Sequence, residues 1–439
     1  METIVALLLL TGSVWLTVRV RLIQVRRLPK ALRGAFARGG GDAGVSPFAA
    51  MSTSLAATLG TGNIAGVAGA VLLAGPGAVF WMWVSAFFGM AAKFCDIYFG
   101  MRFRTREVIG PMAYMERGLA RRRMARHYAL LCAISCLLMG NLVQINAMAE
   151  AGVELLRFVS APGSVIRAFP FAAGLAAAAL IGAARRRGAR GVGRAASLLV
   201  PFMSAAYLVA ALLVIVKNAS ALPGALFAIL RDTMDPRAFL VGIARGTFTH
   251  EAGLGTAAIA HAGVETDDAF KQGLYGIFEV FFDTIVMCTI TALAVLVSGI
   301  PIAANAESGN SAPVIAAFSG TLGPGAAAWS ITLALTLFAF SSILSFSHYG
   351  GVCAEYAFGK RGAAWYGAAF FAVLALGGGM RISLAWRLAE WANMAVGLVN
   401  MAALLLLTRR VGVRQDTGSS RNRRACGCSR CNRCPRTGC

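Results

Sequence analysis

Charge is scarce in this chain. Only 14% of its 439 residues are Asp, Glu, Lys or Arg, where a soluble globule carries about 25%. Acidic residues number 19 against 41 basic ones, and histidine occurs four times. So few ionisable groups, in a chain that is 58% hydrophobic with a mean hydropathy of +0.68, exclude a soluble enzyme. Enzyme signatures are missing too: the sequence has no H-E-x-x-H, no phosphate-binding G-x-x-x-x-G-K-[ST] and no G-x-S-x-G elbow. What it has instead is a series of uncharged apolar stretches of about 20 residues, the length that crosses a bilayer as a helix.

Eleven such stretches fall at about residues 3–20, 46–73, 78–101, 127–155, 168–183, 195–216, 238–262, 272–299, 326–350, 362–378 and 384–408. The fold class is therefore an all-α polytopic membrane protein. The first stretch has Glu2 in place of a basic start, no small-residue cleavage site, and its positive charges (Arg19, Arg21, Arg26, Arg27) on the C-terminal side. It reads as an uncleaved helix with its N-terminus outside, not a signal peptide.

The net charge of +22 would suggest nucleic acid in a soluble protein, but its placement argues otherwise. With the N-terminus outside, the segments on the cytoplasmic side hold 32 of the 41 Lys and Arg, the opposite side holds 6, and three lie within spans. That asymmetry is the positive-inside pattern, and it puts the C-terminus in the cytoplasm of a cell whose inner membrane the chain would span. The arginines lack the interleaved aromatics that stack bases, so no nucleic-acid partner is expected.

One extra helix at 1–20 plus ten more can be divided into five-helix sets, 46–216 and 238–408, of opposite orientation. In inverted repeats of this kind the first helix of each set is interrupted at the bilayer midplane, exposing backbone groups to substrate and ion. Both first helices carry such a break. The span from 46 contains LGTGNIAG (Leu59 to Gly66) and the span from 238 contains FTHEAGLGT (Phe248 to Thr256). Each is a G-x-G (Gly60 and Gly62; Gly253 and Gly255) beside polar residues: Thr61 and Asn63 in one, Thr249, His250 and Glu251 in the other. Glycine loosens the helix ladder, and freed backbone groups in lipid are tolerated only where they line a polar cavity. Two blander readings compete. A dinucleotide fingerprint needs another spacing and a soluble context. Gly62-x-x-x-Gly66 is also a helix-packing pattern, a role that suits Gly66 and Gly69, while Thr61 and Asn63 favour a site.

The stretch SPFAAMSTSLAATLGTGNIAGVAGAVLLAGPGAVFWMWVSAFFGMAAKF (Ser46 to Phe94) resembles the signature region of the alanine or glycine:cation symporters, also called sodium:alanine symporters. The resemblance extends through GNLVQIN (Gly140 to Asn146), GVGRAASLLVPFM (Gly191 to Met203), RGTFTHEAGLGTAAIAHA (Arg245 to Ala262), DTIVMCTITALAVLVSG (Asp283 to Gly299), AFSSILSFSHYGGVCAEY (Ala339 to Tyr356) and WRLAEWANMAVGLVN (Trp386 to Asn400). It implies a leucine-transporter-type core of ten helices in a 5+5 inverted repeat, with one additional helix. It also implies import of a small neutral amino acid, alanine or glycine, with sodium or, in some members, a proton, and no other cofactor.

A zwitterion sets the chemistry. Its carboxylate needs donors, which amides freed around Thr61, Gly62 and Asn63 supply at the positive end of a half-helix. Its ammonium needs acceptors: carbonyls near Phe248 and Thr249, with Gly253 in the same break, and the side-chain oxygen of Gln144. Phe248 and Ile145 would enclose a small side chain. A sodium ion takes oxygen ligands, and the resemblance places it between carbonyls near Gly60 and Asn63 and the hydroxyls of Ser341 and Ser342, which otherwise read as helix-packing groups.

Ionisable residues inside a membrane call for roles. Glu251 reads as a cavity or coupling group or as a link to freed amides, and Asp283 as a structural partner or a ligand. Glu279 is expected to share a face with Asp283, and Lys93 with Asp96 to form a local pair or to snorkel. The chain departs from the family pattern at His250 (usually asparagine), Phe346 (tryptophan), His348 (tyrosine), Val399 (proline), Arg387 (acidic) and Ala113 (aromatic). His250 introduces a group that titrates near neutrality, so proton coupling competes with a neutral hydrogen-bonding substitute for asparagine. Cys95, Cys132, Cys136, Cys288 and Cys353 read as apolar packing residues. Cys426, Cys428, Cys431, Cys434 and Cys439 crowd an Arg-rich tail that reads as disordered, or as a shifted frame, in preference to a zinc site. The expected function is import of alanine or glycine with sodium. The alternatives are a proton-coupled carrier of another small amino acid and a non-transporting sensor, for which a signalling domain is expected.

Overall fold

The computed structural model describes residues 2–35, 45–266, 268–299, 311–380 and 382–413. The five tail cysteines lie outside this range. The described chain is helical, with one isolated parallel bridge between Val45 and Val264. Among the described residues seven helices are long and apolar enough to cross a membrane, and two sharply bent pairs bring the number to nine.

The chain starts with α1 (Glu2–Arg19), which turns through 84° into α2 (Ile23–Ala35). The corner is made by Arg21 and Leu22, both left-handed at φ 56° and 52°, and Arg26 closes it by donating to the carbonyls of Arg21 (2.6 Å) and Val20 (3.3 Å). With Arg26, Arg27, Lys30 and Arg33 along it and Ile23, Ala31 and Ala35 buried, α2 has the character of a helix lying in the headgroup region.

Next come α3 (Pro47–Thr58), a short turn, and α4 (Ala65–Ala74), the second bent pair, at 60°. Ser46 sets the start of α3 by accepting from the Ala49 amide at 3.1 Å, with Pro47 in the first turn. The long helices α5 (Gly77–Phe103), α6 (Arg122–Phe158), α7 (Gly163–Arg185) and α8 (Gly188–Lys217) follow. After a short α9 (Leu222–Arg231) come α10 (Pro236–His250) and α11 (Thr256–His261), which divide the expected span 238–262. Asp235 caps α10 through the Arg237 amide at 2.8 Å. Then come α12 (Ala269–Val297), α13 (Ala312–Leu322), α14 (Pro324–Leu376) and α15 (Ile382–Arg410). Helix α14 contains both expected spans at 326–350 and 362–378, separated at Gly359, whose φ of 74° breaks the helical path.

Packing sorts the helices into groups. Helix α5 packs most extensively on α10 and α12, and α14 on α6, α7 and α8. Helix α1 lies against α5, α10 and α15. Exposed apolar side chains on α7 and α8, among them Leu175, Leu198, Phe202 and Val209, form a surface suited to lipid and not to water. This is the architecture of a multi-pass membrane protein, with the two interrupted elements, α3/α4 and α10/α11, buried at its centre.

Candidate functional site

The first break is built on helix-end chemistry. Helix α3 stops at Thr58, and its last carbonyls have no partner within the helix. Helix α14 takes up two of them: Ser342 Oγ lies 3.0 Å from the Ala56 oxygen and 3.2 Å from that of Ala57, and Ser341 Oγ lies 3.3 Å from the Ala56 oxygen; one turn earlier, Ser345 and Tyr349 donate to the Thr53 oxygen. A helix C-terminus carries partial negative charge. Carbonyls and hydroxyls therefore meet here at a point that favours a cation.

Beyond it the chain makes one tight turn, Thr61–Asn63. Asn63 organises this turn, accepting from the Gly60 amide at 3.1 Å and donating to Asp283 Oδ1 at 2.8 Å. Asp283 sits in a widened, π-helical stretch of α12, Phe281–Cys288, and its other oxygen accepts from Thr284 at 2.8 Å. Such bulges re-aim side chains at functional positions. The Thr61 amide and hydroxyl both lie 3.2 Å from Gln144 Oε1, and Gln144 follows a second widened stretch, Leu138–Val143, in α6.

The second break is saturated. Glu251 adopts φ 52° and Gly253 and Gly255 adopt φ 83° and 85°, so the chain leaves α10 by a left-handed turn that the two glycines accommodate. Side chains from three other helices then occupy its backbone. Lys93 donates to the His250 carbonyl at 3.0 Å, capping the negative end of α10. Asp96 accepts from the Gly253 amide at 3.1 Å, Asn400 donates to the Gly253 carbonyl at 2.9 Å and to Asp96 at 2.7 Å, and Tyr128 donates to the Leu254 carbonyl at 2.7 Å.

Between the breaks is a small cavity whose lining includes Thr58, Gly60, Gly62, Gln144, Phe248, Thr249 and Glu251. Its volume is about 10 Å³, room for one water at most. Glu251 is 2% exposed and accepts from Thr256 Oγ1 at 3.0 Å. The structure thus gathers Gly60, Gly62, Gln144, Phe248, Thr249 and Glu251 around one void. It leaves Thr61, Asn63, Gly253, Ser341, Ser342, His250 and Asp283 off the lining. Asn63 and Asp283 hold the first break, Gly253 is engaged on both its amide and its carbonyl, and the two serines lie behind Gly60. A Cβ on Gly60 would come within 2.9 Å of Ser342 Oγ and 3.1 Å of Gln144 Oε1, so this residue is the partition between the cation-favouring oxygens and the cavity.

Comparison with known sequences agrees with this geometry. Residues 1–419 match the sodium:alanine symporter family. The chain belongs to that family. It is 35% identical over 429 residues to the sodium/alanine symporter AgcS of Methanococcus maripaludis, covering 91% of each chain. It is also 35% identical over 424 residues to an uncharacterized transporter of Haemophilus influenzae, covering 92% of this chain and 90% of the relative. A probable sodium/glutamine symporter of Bacillus subtilis, GlnT, is 31% identical over 423 residues, covering 92% and 85%. The protein is therefore an amino-acid:cation symporter in class, with sodium as the co-transported ion that the family implies and a multi-pass membrane location.

Several expectations need correction for this sodium:alanine symporter family member. Lys93 neither snorkels nor pairs with Asp96: it is 1% exposed and lies 3.7 Å from Glu279 Oε2. Glu279 does not act with Asp283 on one helix face. The widened stretch begins between them, and Glu279 instead accepts from Ser54 at 2.6 Å and meets His261 Nε2 at 2.7 Å. The carbonyls that meet Ser341 and Ser342 are those of Ala56 and Ala57, one turn before Gly60 and Asn63. The Gln144 oxygen expected to take an ammonium is already held by Thr61. Counting back four residues from the helix stop at Thr58 would have found the two alanine carbonyls; Lys93 is marked by its charge within an apolar span, and no local signal points to Tyr128 or Asn400.

His250 is a hydrogen-bonding fixture of the turn. Its Nδ1 accepts from the Ala252 amide at 3.0 Å, which leaves the ring proton on Nε2, 3.0 Å from Ser85 Oγ. A doubly protonated ring would break the Ala252 bond. His250→Asn, which keeps both a donor and an acceptor, is expected to leave the pH profile of uptake unchanged between pH 5.5 and 8.5, to be checked by initial-rate uptake at constant sodium. A profile that flattens or shifts by about one unit would return His250 to a proton-coupling role.

Proposed function

We propose that the protein imports a small neutral amino acid, alanine or glycine, together with sodium by alternating access across the cell membrane, with its N-terminus outside and its C-terminus in the cytoplasm. The observation that carries this reading is Gly60, with carbonyl and hydroxyl oxygens on one side and the small cavity bearing Gln144, Thr249 and Glu251 on the other. Sodium sits among the Ala56 and Ala57 carbonyls and the Ser341 and Ser342 hydroxyls, which rotate their protons away to offer lone pairs. Gly60 and Asn63 shape the turn that holds these oxygens. The substrate carboxylate replaces the Gln144 oxygen at the Thr61 amide and hydroxyl and adds the Gly62 amide. The ammonium goes to the Glu251 carboxylate and the carbonyl side of Phe248 and Thr249, in place of Gly253, whose backbone is taken. Segments 46–216 and 238–408 act as inverted five-helix repeats, each opening on a broken helix.

Ion and substrate are coupled because an amino acid can enter only if Gln144 swings off Thr61, and Gln144 and Ser342 press on the same Gly60. The test is uptake of labelled alanine into proteoliposomes. The expected result is accumulation driven by an inward sodium gradient and competed by glycine; uptake indifferent to sodium would end this reading. Ser342→Ala is expected to raise the half-saturating sodium concentration about tenfold, the loss expected for one contact to a charged species, with a much smaller effect on the alanine concentration needed at saturating sodium.

A further inference from the structure

The first turn of α6 concentrates charge of one sign. Arg121, Arg122 and Arg123 enter the helix in succession and Arg126 follows one turn on, all of them exposed, at a helix end whose own partial charge is positive and disfavours cations. Of these, Arg122 meets a carboxylate, Glu116, at 3.7 Å. The backbone holds the run in a fixed place. A widened turn, Tyr114–Gly118, precedes it. The Leu119 amide donates to the Tyr114 carbonyl at 3.1 Å and the Arg121 amide to that of Met115 at 2.9 Å, and Ala120 between them is left-handed at φ 57°.

The run borders an open cleft of about 790 Å³ between α6 and α15. Arg121, Arg122, Arg123 and His127 line it from α6 and its lead-in, Leu398, Val399 and Ala402 line it from α15, and no acidic residue is in the lining. The positive-inside bias accounts for arginines on this side of the protein. It does not account for a hollow beside them with an apolar wall. Away from the arginines both helix faces stay apolar. Leu131 and Ile134 follow His127 at helical spacing, and Ala395 and Trp391 precede Leu398 in the same way, with Ile134 52% and Trp391 48% exposed. From Ala402 to Trp391 is about 16 Å by the rise of a helix, close to half of the roughly 30 Å hydrocarbon core. A ligand that matches this surface is anionic at one end and apolar for the depth of one leaflet.

We propose that the cleft binds an anionic phospholipid, its phosphate against Arg121 and Arg123 and one acyl chain along the groove between α6 and α15. A soluble phosphate would use the arginines and leave Leu398 and Ala402 uncovered. A zwitterionic lipid would bring a cation up to a run with no carboxylate in the lining to receive it. The occupant also bears on the second break from outside. Tyr128, which holds the Leu254 carbonyl, follows His127, and Asn400, which holds Gly253, follows Val399. The lipid therefore covers the outer seam of the two helices that fix that break. This site does not depend on what the protein carries.

The experiment is a lipid titration of the purified full-length protein in neutral detergent, read by native mass spectrometry, with phosphatidylglycerol and phosphatidylcholine of matched acyl chains. One phosphatidylglycerol per chain is expected to bind about tenfold more tightly than phosphatidylcholine. Arg121→Gln with Arg123→Gln should weaken it about thirtyfold, near fivefold for each charge removed. Ala402→Trp, which fills the apolar side at unchanged charge, should weaken it as well. Should Ala402→Trp fail to fold, Leu398→Gln, at a position 39% exposed, tests the same wall. Arg186→Gln with Arg187→Gln removes two exposed charges between α7 and α8 and should leave the affinity unchanged. An equal loss in that control reduces the effect to surface charge and overturns the site, as does equal affinity for the two lipids. Displacement of phosphatidylglycerol by glycerol phosphate, with Ala402→Trp binding as the wild type does, overturns the lipid in favour of a soluble anion. A lipid-free dimer that Ala402→Trp abolishes overturns it in favour of a second copy of the chain.

Discussion

Gly62→Val is expected to abolish alanine uptake in a protein that still folds. A Cβ at Gly62 meets no atom within 4 Å, and its backbone is not left-handed, so a side chain can start here without a backbone clash. The space it enters is the cavity, which holds one water at most in this state and which the substrate must enlarge. Overpacking costs about 1–3 kcal/mol, and the upper end of that range is roughly a hundredfold in affinity. Uptake should fall by that much or more while the melting temperature in detergent stays at the wild-type value. Gly60→Ala is the contrasting variant. Its Cβ would press on Ser342 Oγ and on Gln144 Oε1, so it should raise the half-saturating concentrations of both sodium and alanine. Near-normal uptake by Gly62→Val would place the substrate elsewhere.

The position of this cavity was legible in the sequence because its cause is local. Two G-x-G strings inside apolar spans interrupt two helices wherever the rest of the chain goes, and Gly60, Gly62, Gln144, Phe248, Thr249 and Glu251 line one void between the breaks. The way each break is used depends on partners distant in sequence. Asn400 and Lys93 reach the second break from residues about 150 positions away, and only the packed structure shows that they consume the backbone groups that the glycines set free. Helix α14, by contrast, is interrupted at Gly359, between the two spans expected from the sequence. The corner after α1 had no signal at all, since Arg21 and Leu22 are not residues that favour a left-handed turn. The cation-favouring oxygens lie between these extremes. The serines were recognisable by resemblance, but their carbonyl partners follow from where α3 stops, and the stop was placed among the glycines instead of at Thr58.

The two breaks therefore differ in kind. In the first, one polar side chain, Gln144, covers the donors of Thr61 and can be exchanged for a ligand. In the second, the Gly253 amide and carbonyl and the His250 and Leu254 carbonyls are held by Asp96, Asn400, Lys93 and Tyr128, so this break can present the Glu251 and Thr249 side chains while its own backbone stays fixed. On the proposed reading, recognition of the substrate by amides belongs to the first break, and the second serves as a wall.

That rigidity depends on Lys93, and Lys93→Met is expected to be the most destabilising single change in the chain. Its ammonium is buried between the His250 carbonyl and Glu279, and Glu279 is itself fully buried with Ser54 and His261 around it. Gln272 Nε2 lies 2.6 Å from His261 Nδ1. Donation at that contact places the imidazole proton on Nε2, pointing at Glu279, and leaves the ring neutral. The carboxylate then has hydroxyl and imidazole donors but only one cation nearby. Removing one partner of a buried pair costs about 3–5 kcal/mol because the other charge is stranded, and here the end of α10 also loses its cap. Thermal unfolding in detergent should show a large drop for Lys93→Met. Adding Glu279→Gln removes the stranded charge and should recover part of it, since the carboxamide still accepts from Ser54. A double variant less stable than Lys93→Met alone would mean that Glu279 is held by its hydroxyl and imidazole donors and that Lys93 acts only as the cap on His250. The two outcomes assign the ammonium to the charge or to the helix end, and only the first makes the Lys93 and Glu279 pair the bolt that ties α5 to α12 behind the second break.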